Sequence, residues 1–331
     1  MPLCEGALPV PLAAATLREG LVLILTDAEG RTGIGEIAPL AGLHTETLDT
    51  AQWQVCAWIK GELHHPVLPS VQCGLEMALW SLENQPYSRV YHRLQPVNAL
   101  LVGNRDTILR STEEAVRSGY TTFKLKVGRS SLEEDVARVH AIRQYIGKTM
   151  TLRLDANRSW SLETALRFGE QVSSASIEYI EEPLRNLDDV PLFVERTGIK
   201  VALDETLYSQ HRAERLYRLQ LPKDVLAAYV LKPACLGGMK VASALAAEAI
   251  TRNLLPVLSS VFETGIALSF YAALQSSWMP NTAIPCGLDT YKFLLSDLLI
   301  SPFDVQQGAV DVETSWQNRM HLRYDMMKRI V

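Results

Sequence analysis

From residue 97 onward the chain alternates two textures. Short runs of apolar and β-branched residues are separated by longer stretches in which apolar residues recur every three or four positions. The short runs cover 97–102, 122–127, 152–155, 178–181, 201–204, 227–232, 256–260 and 283–287. Their last notable residues, Val102, Lys126, Asp155, Glu181, Asp204, Lys232, Ser259 and Gly287, stand 23 to 29 residues apart. A strand with its crossover helix needs about 30 residues or slightly fewer, and eight such units close into a (β/α)8-type barrel. The stretches between them predict helices. Ser131-Leu132-Glu133-Glu134 is a capping box, and Val136, Val139, Ile142 and Ile146 follow at helical spacing. Ser161 opens the next helix, with Leu162, Ala165, Leu166 and Val172 as its apolar stripe.

Residues 1–95 read differently. Leu21 to Leu25 form a strand, Asp27-Ala28-Glu29-Gly30 a turn, and Gly33-Ile34-Gly35-Glu36 the start of the return strand. Two helical stretches follow at 47–59 and 71–82. The expected organisation is a small α+β unit over 1–95 and a barrel over 96–299. A tail over 300–331 carries one more strand-like run (309–312) and packs back on the first unit.

Composition narrows the function classes. Of 331 residues, 47% are hydrophobic, ample for a sizeable core. Lys and Arg number 32 against 37 Asp and Glu, a net charge of −5, which argues against nucleic acid as a partner. The five cysteines, Cys4, Cys56, Cys73, Cys235 and Cys286, are odd in number and lack CxxC spacing, so neither a disulfide framework nor a zinc site is expected. Residues 1–16 carry no Lys or Arg ahead of their apolar residues and do not read as a signal peptide. No apolar run approaches the roughly 20 residues needed to cross a membrane. The expectation is a cytoplasmic protein, a monomer or weak homo-oligomer, acting on a small carboxylate molecule without nucleic-acid or membrane partners.

Barrel active sites lie at the C-terminal ends of the strands, and five consecutive strands here end in charge. Asp155, Glu181 and Asp204 close three neighbouring strands, so their carboxylates converge on one side of the mouth. Three anions held together repel strongly, and a divalent cation resolves the repulsion; all-oxygen ligands select magnesium, manganese or calcium over zinc. Lys124 and Lys126 share one face of the second strand by the period-two rule, and Lys232 ends the sixth, four strands away and hence opposite. A substrate on the metal would lie between two ammonium groups, a layout suited to proton transfer next to a carboxylate. A lysine acts as base if its pKa falls, and nearby cations push it that way. Taken singly, a KxK strand is more often a solvated edge and a strand-terminal Asp a helix cap. Five charges ending five consecutive strands are costly to bury without function. Gly33-Ile34-Gly35-Glu36-Ile37-Ala38 matches a loose dinucleotide fingerprint, but Pro39 and Gly42 follow where a helix should open. The histidines lack ligand spacing; His44 alone stands near a candidate site.

The stretches KLKVG, LRLDANRSW, IEEP, LDET and VLKP resemble the muconate-lactonizing subgroup of the enolase superfamily. Within it, Gly33 to Thr47, Leu258 to Glu263 and Pro285 to Thr290 resemble the o-succinylbenzoate synthases. The resemblance spans nearly the whole chain. It implies an α/β fold, a modified (β/α)7β TIM-like barrel with an N-terminal α+β capping domain, and a magnesium-dependent syn-dehydration in menaquinone or phylloquinone biosynthesis. It implies that Asp155, Glu181 and Asp204 hold Mg2+ (or Mn2+), that Lys126 is the base, that Lys232 stabilises the anion and that Lys124 tunes Lys126. A lysine base beside magnesium is a known tuning pattern of that superfamily. Arg153, Asn157, Ser259, Ser260 and Gly287 would support or line the substrate pocket, and a capping loop with Leu40, Gly42 and His44 would close over it. Dipeptide epimerase, N-succinylamino acid racemase and muconate cycloisomerase chemistry fit the same scaffold. The eighth strand, Cys286-Gly287-Leu288-Asp289, lacks the DxD typical of such epimerases. A non-catalytic metal-binding barrel is the remote alternative.

Overall fold

In the first unit, strand β1 (Leu21–Thr26) pairs antiparallel with β2 (Thr32–Ile37), Leu21 opposite Ile37 and Thr26 opposite Thr32. Asp27 holds the turn by accepting from the backbone N–H groups of Glu29 and Arg31. Helices α1 (Leu48–Ile59) and α2 (Pro69–Glu83) bury Val55, Val71, Leu75 and Ala78 against Leu23 and Ile37. The two glycines of the GxG stretch are explained here. A Cβ on Gly33 would meet the Ala78 carbonyl at 2.0 Å, and one on Gly35 the Gly74 carbonyl at 1.9 Å. They let β2 lie directly on α2, which is a packing role. The computed structural model describes residues 1–3, 17–63, 67–83, 91–208, 221 and 224–331. Most of the 1–16 segment read for a leader, along with Cys4, His64, His65 and His211, lies outside them.

Seven parallel strands follow in sequential order: β4 (Ala99–Leu101), β5 (Thr122–Lys126), β6 (Thr151–Asp155), β7 (Ile177–Glu181), β8 (Val201–Leu203), β9 (Leu226–Leu231) and β10 (Leu255–Leu258). The eighth run differs from expectation. It forms no full strand, but Cys286 bridges Val97 and Gly287 bridges Ser259. Four backbone bonds carry the closure: Cys286 N to Pro96 O, Asn98 N to Cys286 O, Gly287 N to Leu258 O and Ser260 N to Gly287 O. Pro285, lacking an N–H, keeps the ladder from extending toward the N-terminus. Helices pack outside, among them α3 (Arg105–Arg117), α4 (Leu132–Ile146) and α5 (Leu162–Val172), capped by Asn104, Ser131 and Ser161. The tail strand β11 (Ala309–Asp311) pairs with β3 (Leu94–Pro96), and Trp316 beyond it stacks edge-on against Trp80 of α2.

Strand periodicity decides what fills the barrel. Tyr179, Ala202, Ala228, Val230, Val257 and Ile284 form a buried apolar cluster. Two positions beyond Tyr179, Ala202, Val230 and Val257 stand Glu181, Asp204, Lys232 and Ser259, so alternation lifts these polar groups on top of the apolar floor. Among the described residues no helix is long and apolar enough to cross a membrane.

A polar seam joins the first unit to the barrel. The buried Arg18 guanidinium donates to Phe262 O at 3.0 Å and Pro39 O at 2.9 Å, and also to Ala38 O. Glu36 accepts from Thr264 N at 2.9 Å, Thr264 Oγ1 at 2.7 Å and Ala267 N at 3.1 Å, at the start of helix α6 (Gly265–Ser276). Glu76 accepts from Lys240 N at 2.9 Å, at the start of helix α7 (Met239–Thr251). Both carboxylates meet the positive end of a helix dipole.

Candidate active site

The mouth gathers the strand-terminal charges into an alternating row. Lys126 donates to Asp155 Oδ2 and to Asn157 Oδ1 at 3.0 Å. Lys124 lies 3.1 Å from Asp155 Oδ2 and donates to Glu181 Oε2 at 2.6 Å. Lys232 donates to Asp204 Oδ2, whose Oδ1 accepts from the Tyr208 hydroxyl. The Asp155, Glu181 and Asp204 side chains are fully buried, whereas Lys126 keeps 18% of its side chain exposed. Lys126 therefore stands on the open side of the layer.

Burial and neighbouring charge set the protonation of this row in opposite directions. Burial lowers the Lys126 pKa; Asp155 opposes this and Lys124 adds to the lowering. For Lys232 burial also pulls down, but Asp204 and Glu181 outweigh it and hold the ammonium well above its ordinary value. Lys124 is likewise raised, burial being overcome by Asp155 and Glu181. Burial pushes Asp155 up, yet Lys124 and Lys126 overcome it and hold the carboxyl below its usual range. Glu181 is driven far upward by burial and by Asp155. The two opposed lysines are thus unlike: one is eased toward losing its proton and the other is fixed as a cation.

Whether the carboxylates could hold a divalent cation turns on their free lone pairs. Among the described residues, no three carboxylate, imidazole or thiolate groups stand close enough to grip an ion without rearrangement, because each carboxylate is tied to an ammonium. Glu181 Oε1 is nonetheless buried without a hydrogen-bond partner. An orphaned carboxylate oxygen between two further carboxylates, all hard donors, fits a magnesium-type ion once the lysines swing aside.

Four non-glycine residues at this rim have a left-handed backbone: Asn157 (φ 44°), Arg158 (φ 58°), Glu182 (φ 43°) and Phe262 (φ 62°). Such conformations cost on the order of 1 kcal/mol each and persist where surroundings over-determine them. Glu182 shows how. Its buried carboxylate accepts from Asp204 N at 3.0 Å, Thr206 N at 2.7 Å and Arg158 Nε at 2.9 Å, fixing the turn that carries Asp204. Glu182, Arg158, Thr206, Tyr208 and Glu205 were not singled out from sequence. The third letters of IEEP and LDET, Glu182 and Glu205, are the available signals, since each follows a strand-end carboxylate.

The remaining predicted pocket residues separate into groups. Ser259 and Ser260 both donate to Gly287 O, at 3.3 and 2.9 Å, and Ser260 also meets Thr290 Oγ1 at 2.7 Å. A Cβ on Gly287 would come within 2.5 Å of Ser259 Oγ, so the residue holds the seventh and eighth strand ends together. Arg153 lies one layer below the mouth, paired in register with Lys124, and bonds Glu178 at 2.6 Å and Pro285 O at 2.8 Å. Its guanidinium braces the barrel interior. Leu40 is buried against Leu3, Phe262 and Leu294, while Gly42 is exposed at the tip of the loop. His44 accepts from Leu40 N through Nδ1 at 3.0 Å, which leaves Nε2–H to face Ala234 O at 3.2 Å. It ties the capping loop to the segment just after Lys232.

Residues 107–315 match the family described as Enolase C-terminal domain-like, and residues 12–82 that described as MenC, N-terminal domain. The o-succinylbenzoate synthase of Vibrio cholerae serotype O1 is 34% identical over 297 residues, 86% of this chain and 85% of that one. Protein PHYLLO, chloroplastic, of Arabidopsis thaliana is 30% identical over 87% of this chain, which spans only 20% of that longer protein. The solved o-succinylbenzoate synthase of Thermosynechococcus elongatus BP-1, complexed with Mg, superposes with a TM-score of 0.70 at 31% identity, covering 87% of this chain and 91% of that one. The L-Ala-D/L-Glu epimerase of Bacillus subtilis superposes with a TM-score of 0.79 over 93% and 92% of the chains; at 20% identity that likeness is one of fold.

Proposed function

The chain belongs to the o-succinylbenzoate synthase family of the enolase superfamily, and from that membership we propose how its own residues perform the dehydration. The reaction converts 2-succinyl-6-hydroxy-2,4-cyclohexadiene-1-carboxylate to 2-succinylbenzoate and water, a carbon–oxygen lyase step of menaquinone or phylloquinone biosynthesis. Lys126 removes the proton on the ring carbon bearing the carboxylate. The electron pair is delocalised onto the carboxylate and then forms the ring double bond as the hydroxyl on the adjacent carbon leaves, and Lys126 gives its proton to that hydroxyl on the same face, releasing water. Lys232, a buried cation on the opposite side of the mouth, faces the charge that develops on the carboxylate. Lys124 anchors Asp155 and Glu181 and lowers its neighbour's proton affinity. Asp155, Glu181 and Asp204 would hold Mg2+, whose chemistry there is to neutralise the growing negative charge on the substrate carboxylate. Ser259, Ser260 and Gly287 offer polar atoms to the succinyl arm.

The observation that carries this reading is the asymmetry of the opposed lysines: Lys126 stands on the open side of the layer beside the neutral Asn157 Oδ1 at 3.0 Å, whereas Lys232 is buried and tied to Asp204. A one-sided elimination needs one base and one fixed cation; a two-sided racemisation needs both lysines to exchange protons. The test is a spectrophotometric assay of the cyclohexadiene substrate with and without magnesium. Aromatic product that forms only with the metal is the expected result, and no product with the metal present would sink the assignment.

A further inference from the structure

Asn157 lies two residues past the end of strand β6, in the left-handed region at φ 44°. Asn tolerates that conformation better than most residues, and so does Asp. What distinguishes the amide is that it has a donor end and an acceptor end, and both are used. Asn157 Oδ1 accepts from Lys126 Nζ at 3.0 Å and from Arg129 Nη2 at 3.3 Å, while Nδ2 donates to Glu205 Oε1 at 2.9 Å. The Asn157 backbone N–H adds a bond to Asp155 Oδ1 at 3.1 Å. Glu205 comes from the turn after β8, two strands away from Asn157, and its other oxygen is buried with no partner.

We propose that Glu205 is a positioning residue for Lys126, acting through the Asn157 amide. The bond from Nδ2 to Glu205 fixes which end of the amide faces the lysine. With the carbonyl end turned inward, Lys126 has a neutral acceptor that holds its ammonium at one point. With the amide reversed, Nδ2–H would face a cation and push it away. An aspartate at 157 would keep the backbone but lose the Nδ2 donor to Glu205 Oε1, so that nothing fixes which oxygen faces Lys126. The geometry alone carries this, whichever protonation state Glu205 adopts. It rests on the reading of Lys126 as the base.

The test is a set of substitutions in the full-length enzyme, with kcat, KM and magnesium affinity measured for each. Glu205→Ala and Asn157→Asp are expected to lower kcat on the order of 100-fold, as misplacement of a reacting group does, with KM and magnesium affinity little changed. Glu205→Gln keeps an acceptor for Nδ2 and should stay near the parent. The double swap Asn157→Asp/Glu205→Gln conserves net charge and reverses the direction of the hydrogen bond. It should recover part of the activity lost in Asn157→Asp, with the pH–rate profile moved upward because the acceptor facing Lys126 is now anionic. Full kcat in Glu205→Ala beside an inactive Lys126→Ala overturns the relay alone, and so does a double swap as slow as Asn157→Asp. Turnover that survives Lys126→Ala overturns the base assignment and the relay with it. A fall in magnesium affinity that tracks kcat overturns it too, because these residues would then be serving the metal ligands.

Discussion

Buried charge occurs in two regions of this fold, and the two are finished differently. Along the seam, Glu36 takes three donors from the start of one barrel helix and Arg18 reaches carbonyls on both sides of the junction. At the mouth the three lysines pair chiefly with the strand-end carboxylates, and Glu181 Oε1 and Glu205 Oε2 are left buried without partners. Both arrangements cost desolvation. Backbone groups return that cost at the seam and so hold two units together. The mouth leaves part of it unreturned, and a polar group kept dry and unsatisfied is available to a ligand. The contrast separates charges that fasten from charges that act.

The contrast breaks most sharply at Lys126. Lys126→Ala should lower turnover by about 10²- to 10⁴-fold, the span of a lost general base, with the denaturation midpoint unchanged. Residual activity close to the parent would place the base elsewhere. Next come the carboxylates. Asp155→Asn, Glu181→Gln and Asp204→Asn should each weaken magnesium by at least about tenfold in calorimetry. Unchanged affinity in all three would remove them as ligands. Removing a carboxylate also leaves its lysine partner buried without a counter-charge, so some stability is lost in the metal-free protein, but the loss that marks these sites is of metal and turnover.

Seam substitutions should do the reverse. Arg18→Met leaves the Phe262, Pro39 and Ala38 carbonyls without their donor, and should cost on the order of 3 kcal/mol in urea unfolding. An unaltered urea midpoint would mean the seam is dispensable. The smallest effect is a pH dependence. Burial pushes the Glu36 carboxyl up from 4.5 to about 7, against the opposing Thr264 bonds. Between about pH 4.5 and 7 the folded protein keeps a proton that the unfolded chain has released, so stability falls as pH rises through that window. Glu36→Gln should flatten this component, the difference from the parent approaching about 1.4 kcal/mol per pH unit. Parallel stability curves for the two proteins would show that Glu36 titrates normally.

Much of the barrel could be read from the chain because its signals are local. Ser131 and Ser161 cap the helices they were expected to open. Strand ends at Lys126, Asp155 and Glu181 coincide with the last residues of β5, β6 and β7. The eighth run was less legible. Its alternation predicts a strand, but Pro285 and the neighbouring ends admit only the bridges at Cys286 and Gly287. The GxG stretch could be freed of a cofactor role by its following proline, yet its actual use required α2 to be in place.

What the sequence determined by itself follows from periodicity. A two-residue repeat fixes which strand residues face inward, and regular spacing brings Asp155, Glu181 and Asp204 to one rim. Only the tertiary structure decided how unlike Lys126 and Lys232 are. Each lysine's proton affinity depends on which carboxylate it meets, and those partners lie 29 and 28 residues away in the chain. Contacts such as Glu36 to Thr264, 228 residues apart, leave no periodic trace. The same holds for the direction of the Asn157 amide, which is set by a neighbour 48 residues away. Hydrogen-bond polarity is a property of assembled geometry, and no pattern along a single strand encodes it.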